Sequence, residues 1–171
     1  MKKFELTSEC IVKFGRTLYR IRALVAFGDV KEGELGGFLE KEENLSQDGN
    51  AWVRGSAIVS ENATVRGNAI VSGNAIVSGN ATVRGYARVF KTSHYLVIGP
   101  MGSRNGFTTF FRTNNLFIGV ACGCFRGNVD EFIKKVKETH GDNKHAKTYL
   151  AAAELAKMQI DLTPEENEEG D

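Results

Sequence analysis

Residues 51–89 read AWVRGS AIVSEN ATVRGN AIVSGN AIVSGN ATVRGY ARV, a six-residue unit that recurs in one unbroken phase. Each unit starts with Ala and has Val two residues later, which places both side chains on the same side of a β-strand. Gly and Asn end most units, and both residues tolerate the positive φ of a tight corner. A period of six is not a multiple of the 3.6-residue helical turn. The stretch therefore predicts short strands joined by corners, each unit burying its apolar side on the next.

The pattern Ala-x-Val-x-Gly-Asn resembles the hexapeptide repeat of left-handed parallel β-helices. In that family three units make one triangular coil, and many members are trimers. Residues 33–40 (GELGGFLE) and 44–53 (NLSQDGNAWV) are similar to a subgroup of hexapeptide proteins that is frequent in bacteria and in phages or prophages. The resemblance covers residues 15–90. It implies a left-handed parallel β-helix and a homo-oligomer, with a trimer favoured.

The fold class predicted for the whole chain is mainly β, in four parts. Residues 1–27 are predicted to form a β-hairpin cap, because Gly15-Arg16 separates two apolar stretches and a terminal unit must hide the edge of the repeat. Residues 28–90 hold the β-helix. Residues 91–160 form a small α+β segment of three strands and two helices. Residues 161–171 contain acids and no base, so a disordered acidic tail is predicted.

The α+β segment is predicted from its apolar runs and helix signals. Its three strands cover residues 95–98, 107–111 and 116–121. The first helix begins after Asn128, which with Glu131 three residues later resembles a capping box, and it ends at Gly141. A second helix covers residues 143–158, and the apolar stripes of both helices are expected to cover the sheet.

Charge and composition predict the cellular compartment of the protein. The 171 residues carry a formal net charge of +1 and no long apolar run, so no membrane span is predicted. Residues 4–6 follow Lys2 and Lys3 without the apolar core of a signal peptide. Three cysteines do not make a disulfide framework. These features favour a cytoplasmic protein, in the host-cell cytoplasm if a phage encodes it.

Two groups of charges near the N-terminus are interpreted as surface. Residues 28–50 are predicted to be an irregular first coil that is acidic through Glu40, Glu42, Glu43 and Asp48. No His or Cys accompanies these carboxylates, so cation binding and catalysis are the less favoured interpretations. Three arginines near the hairpin are interpreted as a solvated strand face rather than a functional cluster: Arg16, Arg20 and Arg22.

The repeat predicts which side chains stack. Every third unit returns to the same face, so residues 18 apart should lie about 4.8 Å apart. The outward columns are Trp52 with Ile70 and Arg88, Ile58 with Ile76, and Thr64 with Thr82. Outward Trp and Ile side chains usually mark contacts. We expect the face with Trp52 and the face with Ile58 and Ile76 to pack against partner chains or the C-terminal segment.

Positive charge is concentrated in the middle of the chain. Residues 51–126 contain eight Lys or Arg residues and one acid, Glu61. Arg66 should stack on Arg84, and an anion between them would relieve their repulsion. The alternative is that both arginines are solvated or paired with acids. An anionic ligand or partner is the natural expectation for such a basic region.

Two glycine-bearing loops beyond the repeat could bind phosphate. Residues 99–106 include Ser103 and Arg104, and residues 122–127 include Arg126. Glycine lets backbone amides approach an anion, while Ser and Arg add donors. The second loop leads into a helix, whose N-terminus favours anions. No P-loop or dinucleotide fingerprint is present. The predicted ligand contacts are Ser103, Arg104, Thr108 and Arg126, with Arg66 and Arg84 second; structural turns are the alternative.

No catalytic residue, metal site or cofactor is assigned. Hexapeptide acyltransferases need a catalytic His on or beside the repeat, and only His94, directly after the repeat, lies near it. Cys122-x-Cys124 with His94 or His140 is not a common zinc spacing. A cysteine nucleophile would need a paired base that the sequence does not locate.

These features favour a non-enzymatic, oligomeric binding protein for a small phosphate-bearing, nucleotide-like ligand. The phage resemblance suggests a role in sequestering a nucleotide signal of host defence. The alternatives are a structural scaffold that binds and inhibits a host protein, and a hexapeptide acyltransferase. Nucleic acid is disfavoured as a partner, because aromatic residues are not interleaved with the bases and the tail is acidic.

Overall fold

The computed structural model describes residues 1–165, which form a mainly β chain with two helices. The chain divides into two compact units, Met1–Thr92 and Ser93–Asp171. Residues 161–165 have neither helix nor strand, and the rest of the predicted disordered tail, residues 166–171, lies outside the described residues. Neither described helix combines the length and the apolar composition that a membrane crossing requires.

The first unit contains ten strands and a short 3₁₀ helix at Glu42–Asn44. The strands are β1 (Phe4–Lys13), β2 (Arg16–Ala23), β3 (Leu35–Leu39), β4 (Trp52–Val53), β5 (Ile58–Val59), β6 (Thr64–Val65), β7 (Ile70–Val71), β8 (Ile76–Val77), β9 (Thr82–Val83) and β10 (Arg88–Val89). A second 3₁₀ helix, Thr92–His94, follows the repeat. Three sheets result, in the orders β1-β2-β3-β5-β8, β10-β7-β4 and β6-β9.

The stacking predicted for the repeat is confirmed at the level of residue pairs. Each column pairs in parallel at a spacing of 18 residues: Trp52 with Ile70 and Ile70 with Arg88, Ile58 with Ile76, and Thr64 with Thr82. The amide of each unit donates to a carbonyl of the unit three further on, as Trp52 N does to Ala69 O at 3.0 Å. The repeated Ala and Val side chains are fully buried.

The predicted fold class, a left-handed parallel β-helix with a separate hairpin cap, is wrong. The described residues form small sheets that mix parallel and antiparallel strands, and no continuous solenoid. The repeat strands are only two residues long, because a corner interrupts the extended backbone in every unit. The hairpin is not a separate cap, since β2 pairs antiparallel with β3, and β3 pairs in parallel with β5. Its turn, at Phe14-Gly15, lies one residue earlier than predicted.

Two outward apolar side chains of the repeat, Trp52 and Ile58, are covered by N-terminal residues of the same chain. Trp52 is fully buried, and the rings of Phe4 and Phe27 meet it edge-on at centroid distances of 6.3 and 5.4 Å. Ile58 packs with Leu18 of β2 and Phe38 of β3. The unit's own residues therefore remove Trp52 and Ile58 from water, whereas Ile70 and Ile76 stay partly exposed. The expectation that these faces pack against partner chains or the C-terminal segment stays a prediction.

Glu61, the single exception among the repeat glycines, bridges the hairpin and the repeat. It adopts the positive φ of its corner, +58°, and its carboxylate accepts from Gly79 N at 2.6 Å and pairs with Arg16 at 3.0 Å. Arg16 also pairs with Glu40 at 2.8 Å, and Glu40 accepts from Glu61 N at 2.6 Å. Arg16 and Glu40 thus lie partly exposed at the surface, where they form a structural link between the hairpin and the repeat.

We predict that Glu40→Gln weakens the first unit at neutral pH and flattens its acid dependence. The Glu61 amide, and then Arg16, hold the pKa of Glu40 below its ordinary value of 4.5. A lowered pKa means that the carboxylate stabilises the fold above about pH 4.5 and loses that effect as the pH falls through the folded-state pKa. Urea unfolding should show a loss of about 1 kcal/mol at pH 7 that shrinks as the pH falls below 4.5, the ordinary pKa of this group.

Glu43→Gln is the matched control for this substitution, since Glu43 is exposed on the same segment. It should leave the free energy of unfolding at pH 7 unchanged. An equal loss in both variants, or a Glu40→Gln loss that persists undiminished in acid, would contradict the assignment.

The second unit is a four-stranded antiparallel meander covered on one face by two helices. Its elements are β11 (Tyr95–Met101), β12 (Gly106–Arg112), β13 (Ile118–Cys122), β14 (Phe125–Asn128), α1 (Val129–His140) and α2 (Lys144–Gln159). Both helices match the prediction closely, and Phe110, Val120 and Phe132 lie in the core between helices and sheet. The prediction of three strands is wrong, because residues 125–128 form a fourth strand after a two-residue turn at Gly123-Cys124.

Candidate functional site

The two predicted glycine-bearing loops lie at the same end of the second unit's sheet. In a meander, alternate turns share an end. The β11–β12 turn is residues 102–105, and the β13–β14 turn is residues 123–124. We call this end, with Arg126 beside the second turn, the turn end. The structure therefore brings Ser103 and Arg104 to the same end of the sheet as Arg126.

Tyr149 of α2 supports the first turn from beneath. Gly102 has φ +76°, and any Cβ at this position would collide with the Tyr149 hydroxyl. Asn105 closes the turn with φ +48°, and its amide donates to Gly102 O at 3.3 Å. Between these two residues, Ser103 and Arg104 are exposed. The turn thus presents a hydroxyl and a guanidinium from a backbone that a helix residue holds in place.

Thr108 lies below the turn and contacts other residues of the core. It is 1 % exposed, and its hydroxyl donates to Cys122 Sγ at 3.2 Å. Tyr149 also hydrogen bonds Cys122; burial, and secondarily the thiol, raises the pKa of Tyr149. The ring of His140 stacks on Tyr149 at 5.8 Å, and His145 lies 5.7 Å from His140. Thr108 therefore supports the turn end and has no surface to offer a ligand.

Arg126 and the two helices lie on opposite faces of the sheet, as the strand register shows. Thr108, Cys122 and Phe125 lie opposite one another in the ladder, and Cys122 and Phe125 pack on the helical core. The neighbouring row of the ladder contains Ala121 and Arg126. Successive rows face opposite sides of a sheet, so Arg126 projects from the face away from α1 and α2. Arg126 is exposed there.

The sheet that carries these side chains is free of acidic residues. Residues 95–128 contain three arginines and no Asp, Glu or Lys. The third arginine, Arg112, is fully buried and donates to Thr163 O at 3.2 Å, so it belongs to the core. The exposed charge on the strands and turns is therefore that of Arg104 and Arg126. An anion approaching the turn end meets two cations and no carboxylate of the sheet.

The N-terminus of α1 contributes no anion site. The predicted capping box is confirmed: Asn128 N donates to Glu131 Oε2 at 2.8 Å, and Glu131 N donates to Asn128 Oδ1 at 2.9 Å. The carboxylates of Asp130 and Glu131 also lie in the first turn. They already complement the positive end of the helix dipole. The expectation that this terminus helps to bind phosphate is not supported.

Arg66 and Arg84 belong to the first unit. They follow the paired strands β6 and β9, so they occupy equivalent positions 18 residues apart. Arg66 is exposed and donates to Thr64 Oγ1 at 3.4 Å, whereas Arg84 is partly buried. We retain them as a second candidate site.

The histidines and cysteines considered for catalysis or metal binding do not form one site among the described residues. His94 is fully buried, with Nε2 3.5 Å from a Glu165 carboxylate oxygen. All three cysteines are free thiols; Cys124 is exposed in its turn and Cys122 is partly buried. Within residues 1–165, no three His, Cys, Asp or Glu side chains are grouped closely enough to hold a metal ion.

The sequence does not indicate that Tyr149 reaches the turn end or that Cys122 lies beneath it. The helical spacing makes Tyr149 one member of an apolar stripe, and its ring does contact Phe132 at 5.7 Å. Its hydroxyl end reaches the turn, and no local pattern indicates that. Gly102 is the one sequence feature that could indicate this contact, because a glycine is used where another group packs closely against the backbone as well as in turns.

The chain matches no protein-family model, and no curated protein matches it either.

Proposed function

We propose that this chain is a non-enzymatic binding protein for a small, phosphate-bearing, nucleotide-like ligand held at the turn end of the second unit. The observation that carries the proposal is the pair Arg104 and Arg126. Both are exposed at one end of a sheet whose strands and turns contain no acid. Arginine binds phosphate through paired, charge-assisted hydrogen bonds.

The geometry favours a ligand with more than one anionic group. Strand β13 lies between β12 and β14, so the two flanking strands are about 10 Å apart. Arg104 projects from the turn before β12, and Arg126 from β14. Two flexible guanidinium groups at this separation can contact two phosphates of one ligand. Ser103 adds a hydroxyl on the Arg104 side.

The wider role is proposed from the resemblance alone. A phage or prophage protein of this type would act in the host cytoplasm as an oligomer and sequester a nucleotide signal of host defence. Two features behind the alternatives are weakened by burial. Trp52 and Ile58, on which the protein-binding interpretation rests in part, are buried under the chain's own residues. His94, the only candidate acyltransferase base near the repeat, is fully buried.

The test is native mass spectrometry of the full chain purified from cells, repeated with ATP added as a defined probe. We expect extra mass on the wild-type chain that denaturation releases as a phosphate compound. Arg104→Ala and Arg126→Ala should each weaken binding about 10- to 100-fold, the effect of losing a charge-assisted hydrogen bond. Arg22→Ala is the matched control, because Arg22 is an exposed arginine of the hairpin that pairs with Glu5.

Three outcomes distinguish the alternatives. Loss of the ligand in both turn-end variants, with retention in Arg22→Ala, supports the turn end. Loss in Arg66→Ala or Arg84→Ala, with retention in the turn-end variants, moves the site to the first unit. No bound mass and no ATP binding in the wild-type chain, together with one stoichiometric protein partner in a pulldown, would replace the proposal with the protein-binding alternative.

A further inference from the structure

Strand β1 is the outer strand of the mixed sheet in the first unit, and apolar side chains are exposed near its end. Val12 is 73 % exposed and Phe14 is 69 % exposed. A bulge lies between Leu6 and Cys10, and Cys10–Lys13 then pair regularly with β2. An outer strand presents a row of backbone donors and acceptors that another strand can pair with.

The hairpin turn determines which backbone groups face outward. Phe14 and Gly15 form a two-residue turn with φ values of +54° and +70°. The pair that closes such a turn, Lys13 with Arg16, exchanges hydrogen bonds. Because the ladder alternates, Lys13 and Ile11 direct their amides and carbonyls toward β2. Cys10 and Val12 direct theirs away from the sheet.

We propose that two copies of this chain pair antiparallel through their β1 edges, about a two-fold axis at Ile11. Val12 of each copy then lies opposite Cys10 of the other, and each of these pairs exchanges two hydrogen bonds. The two Ile11 residues face one another across the axis as a non-hydrogen-bonded pair. The contact is β-augmentation, in which backbone hydrogen bonds join two sheet edges into one continuous sheet.

Charge selects this register among those that hydrogen bonding allows. Two-fold axes at residues 10, 11 or 12 all keep the outward backbone groups paired. Only the axis at Ile11 places Lys13 of each copy opposite Glu9 of the other. Ile11 and Lys13 face the side of the sheet that carries Phe38, since Ile11 packs on the cluster that contains Phe38. Glu9 faces the same side, because its carboxylate lies 3.7 Å from Arg20, whose guanidinium lies over the Phe38 ring. The register therefore adds two opposite-charge cross-strand pairs, and like-charge pairs are absent.

Packing agrees with the same register. Ile11 already lies against the cluster of Leu18, Phe38 and Ile58, so a second Ile11 across the axis extends that cluster. On the other face, exposed Val12 gains the side chain of Cys10 as a neighbour. The contact is two-fold and by itself makes a dimer, unlike the trimer that the resemblance implies. It does not depend on the proposed ligand site, which lies in the other unit.

Charge reversal tests the contact by sedimentation velocity of the full chain over a range of concentrations. We expect a concentration-dependent dimer for the wild type. Lys13→Glu places like charges opposite each other twice and should weaken the dimer at least about tenfold, while the double variant Glu9→Lys, Lys13→Glu should restore it. Circular dichroism confirms that each variant is folded.

Disulfide trapping tests the register independently. In a Cys10→Ser background, Ile11→Cys places two thiols at a pair whose Cα atoms are about 4.5 Å apart, within disulfide range. Thr17→Cys is the matched control, since Thr17 is exposed on the inner strand β2. We expect mild oxidation to crosslink the first variant much faster than the second. A wild-type chain that is monomeric throughout, an unaffected Lys13→Glu assembly, or equal crosslinking rates would each overturn the proposal.

Discussion

Replacing Trp52 by Ala should lower the free energy of unfolding of the first unit by about 3–5 kcal/mol, the range for truncating a fully buried large side chain. Trp52 is the largest fully buried side chain of the described residues, and it is the common contact of Phe4 and Phe27. Truncation removes both aromatic contacts and leaves a cavity where the N-terminal strand meets the repeat. Urea unfolding followed by circular dichroism measures the loss.

Two further substitutions make this prediction specific. Trp52→Phe keeps an aromatic ring and removes an indole N–H that has no hydrogen-bond partner among residues 1–165, so its cost should be clearly smaller. Tyr86→Ala, at an aromatic residue that is 59 % exposed within the repeat, should be nearly neutral. If Trp52→Ala and Tyr86→Ala are equally stable, Trp52 does not anchor the N-terminal strands.

Gly37→Ala should destabilise the first unit by about 3 kcal/mol, which is at the upper end for overpacking a core by one methyl group. A Cβ at Gly37 would lie 2.5 Å from Ala57 O and 2.7 Å from a Val53 methyl carbon. The Ala57 carbonyl accepts from Phe38 N in the join between β3 and the repeat. Relief of the clash would therefore open the pairing that connects the hairpin sheet to the repeat.

Gly85→Ala is the control for backbone strain without crowding. Gly85 has φ +65°, and an added methyl group there would meet no described atom within 4 Å. Only the left-handed conformation is therefore penalised, at about 1 kcal/mol. Unfolding can be followed for both variants by the fluorescence of Trp52, the single tryptophan of the chain. If Gly85→Ala lowers the free energy of unfolding as much as Gly37→Ala or more, crowding at Gly37 is not the main cause of the destabilisation.

The repeat pairing is predictable because one spacing determines it. Ala and Val two apart define the buried side, and a six-residue unit fixes the 18-residue step between paired strands. The architecture around the repeat is not predictable in the same way. Whether β2 joins a cap or a sheet depends on its pairing with β3, more than ten residues away, and no local pattern encodes that choice. Strand β14 escapes prediction because Cys122–Gly127 contains two glycines, which are typical of a loop.

The candidate site is predictable only in part, for reasons of register. Exposure of Arg104 follows from its place in a glycine-bearing turn, and the structure agrees. Which face a strand residue occupies changes with a shift of one position. The prediction of Thr108 as a ligand contact is therefore wrong: it faces the helices, and its neighbour Thr109 occupies the other face. The contact between Tyr149 and Gly102 joins residues that only tertiary packing brings together.

Glu61 has a consequence for how the chain finds its pairing. Residues 69–74 and 75–80 are identical, so the repeat alone offers nearly equivalent alignments that differ by whole units. Slipped alignments of this kind are competing minima that slow or misdirect folding. The Glu61 carboxylate pairs with Arg16 of the hairpin, and the equivalent corners of the repeat carry glycines, which offer no carboxylate. The one irregular corner therefore favours a single alignment of the hairpin on the repeat.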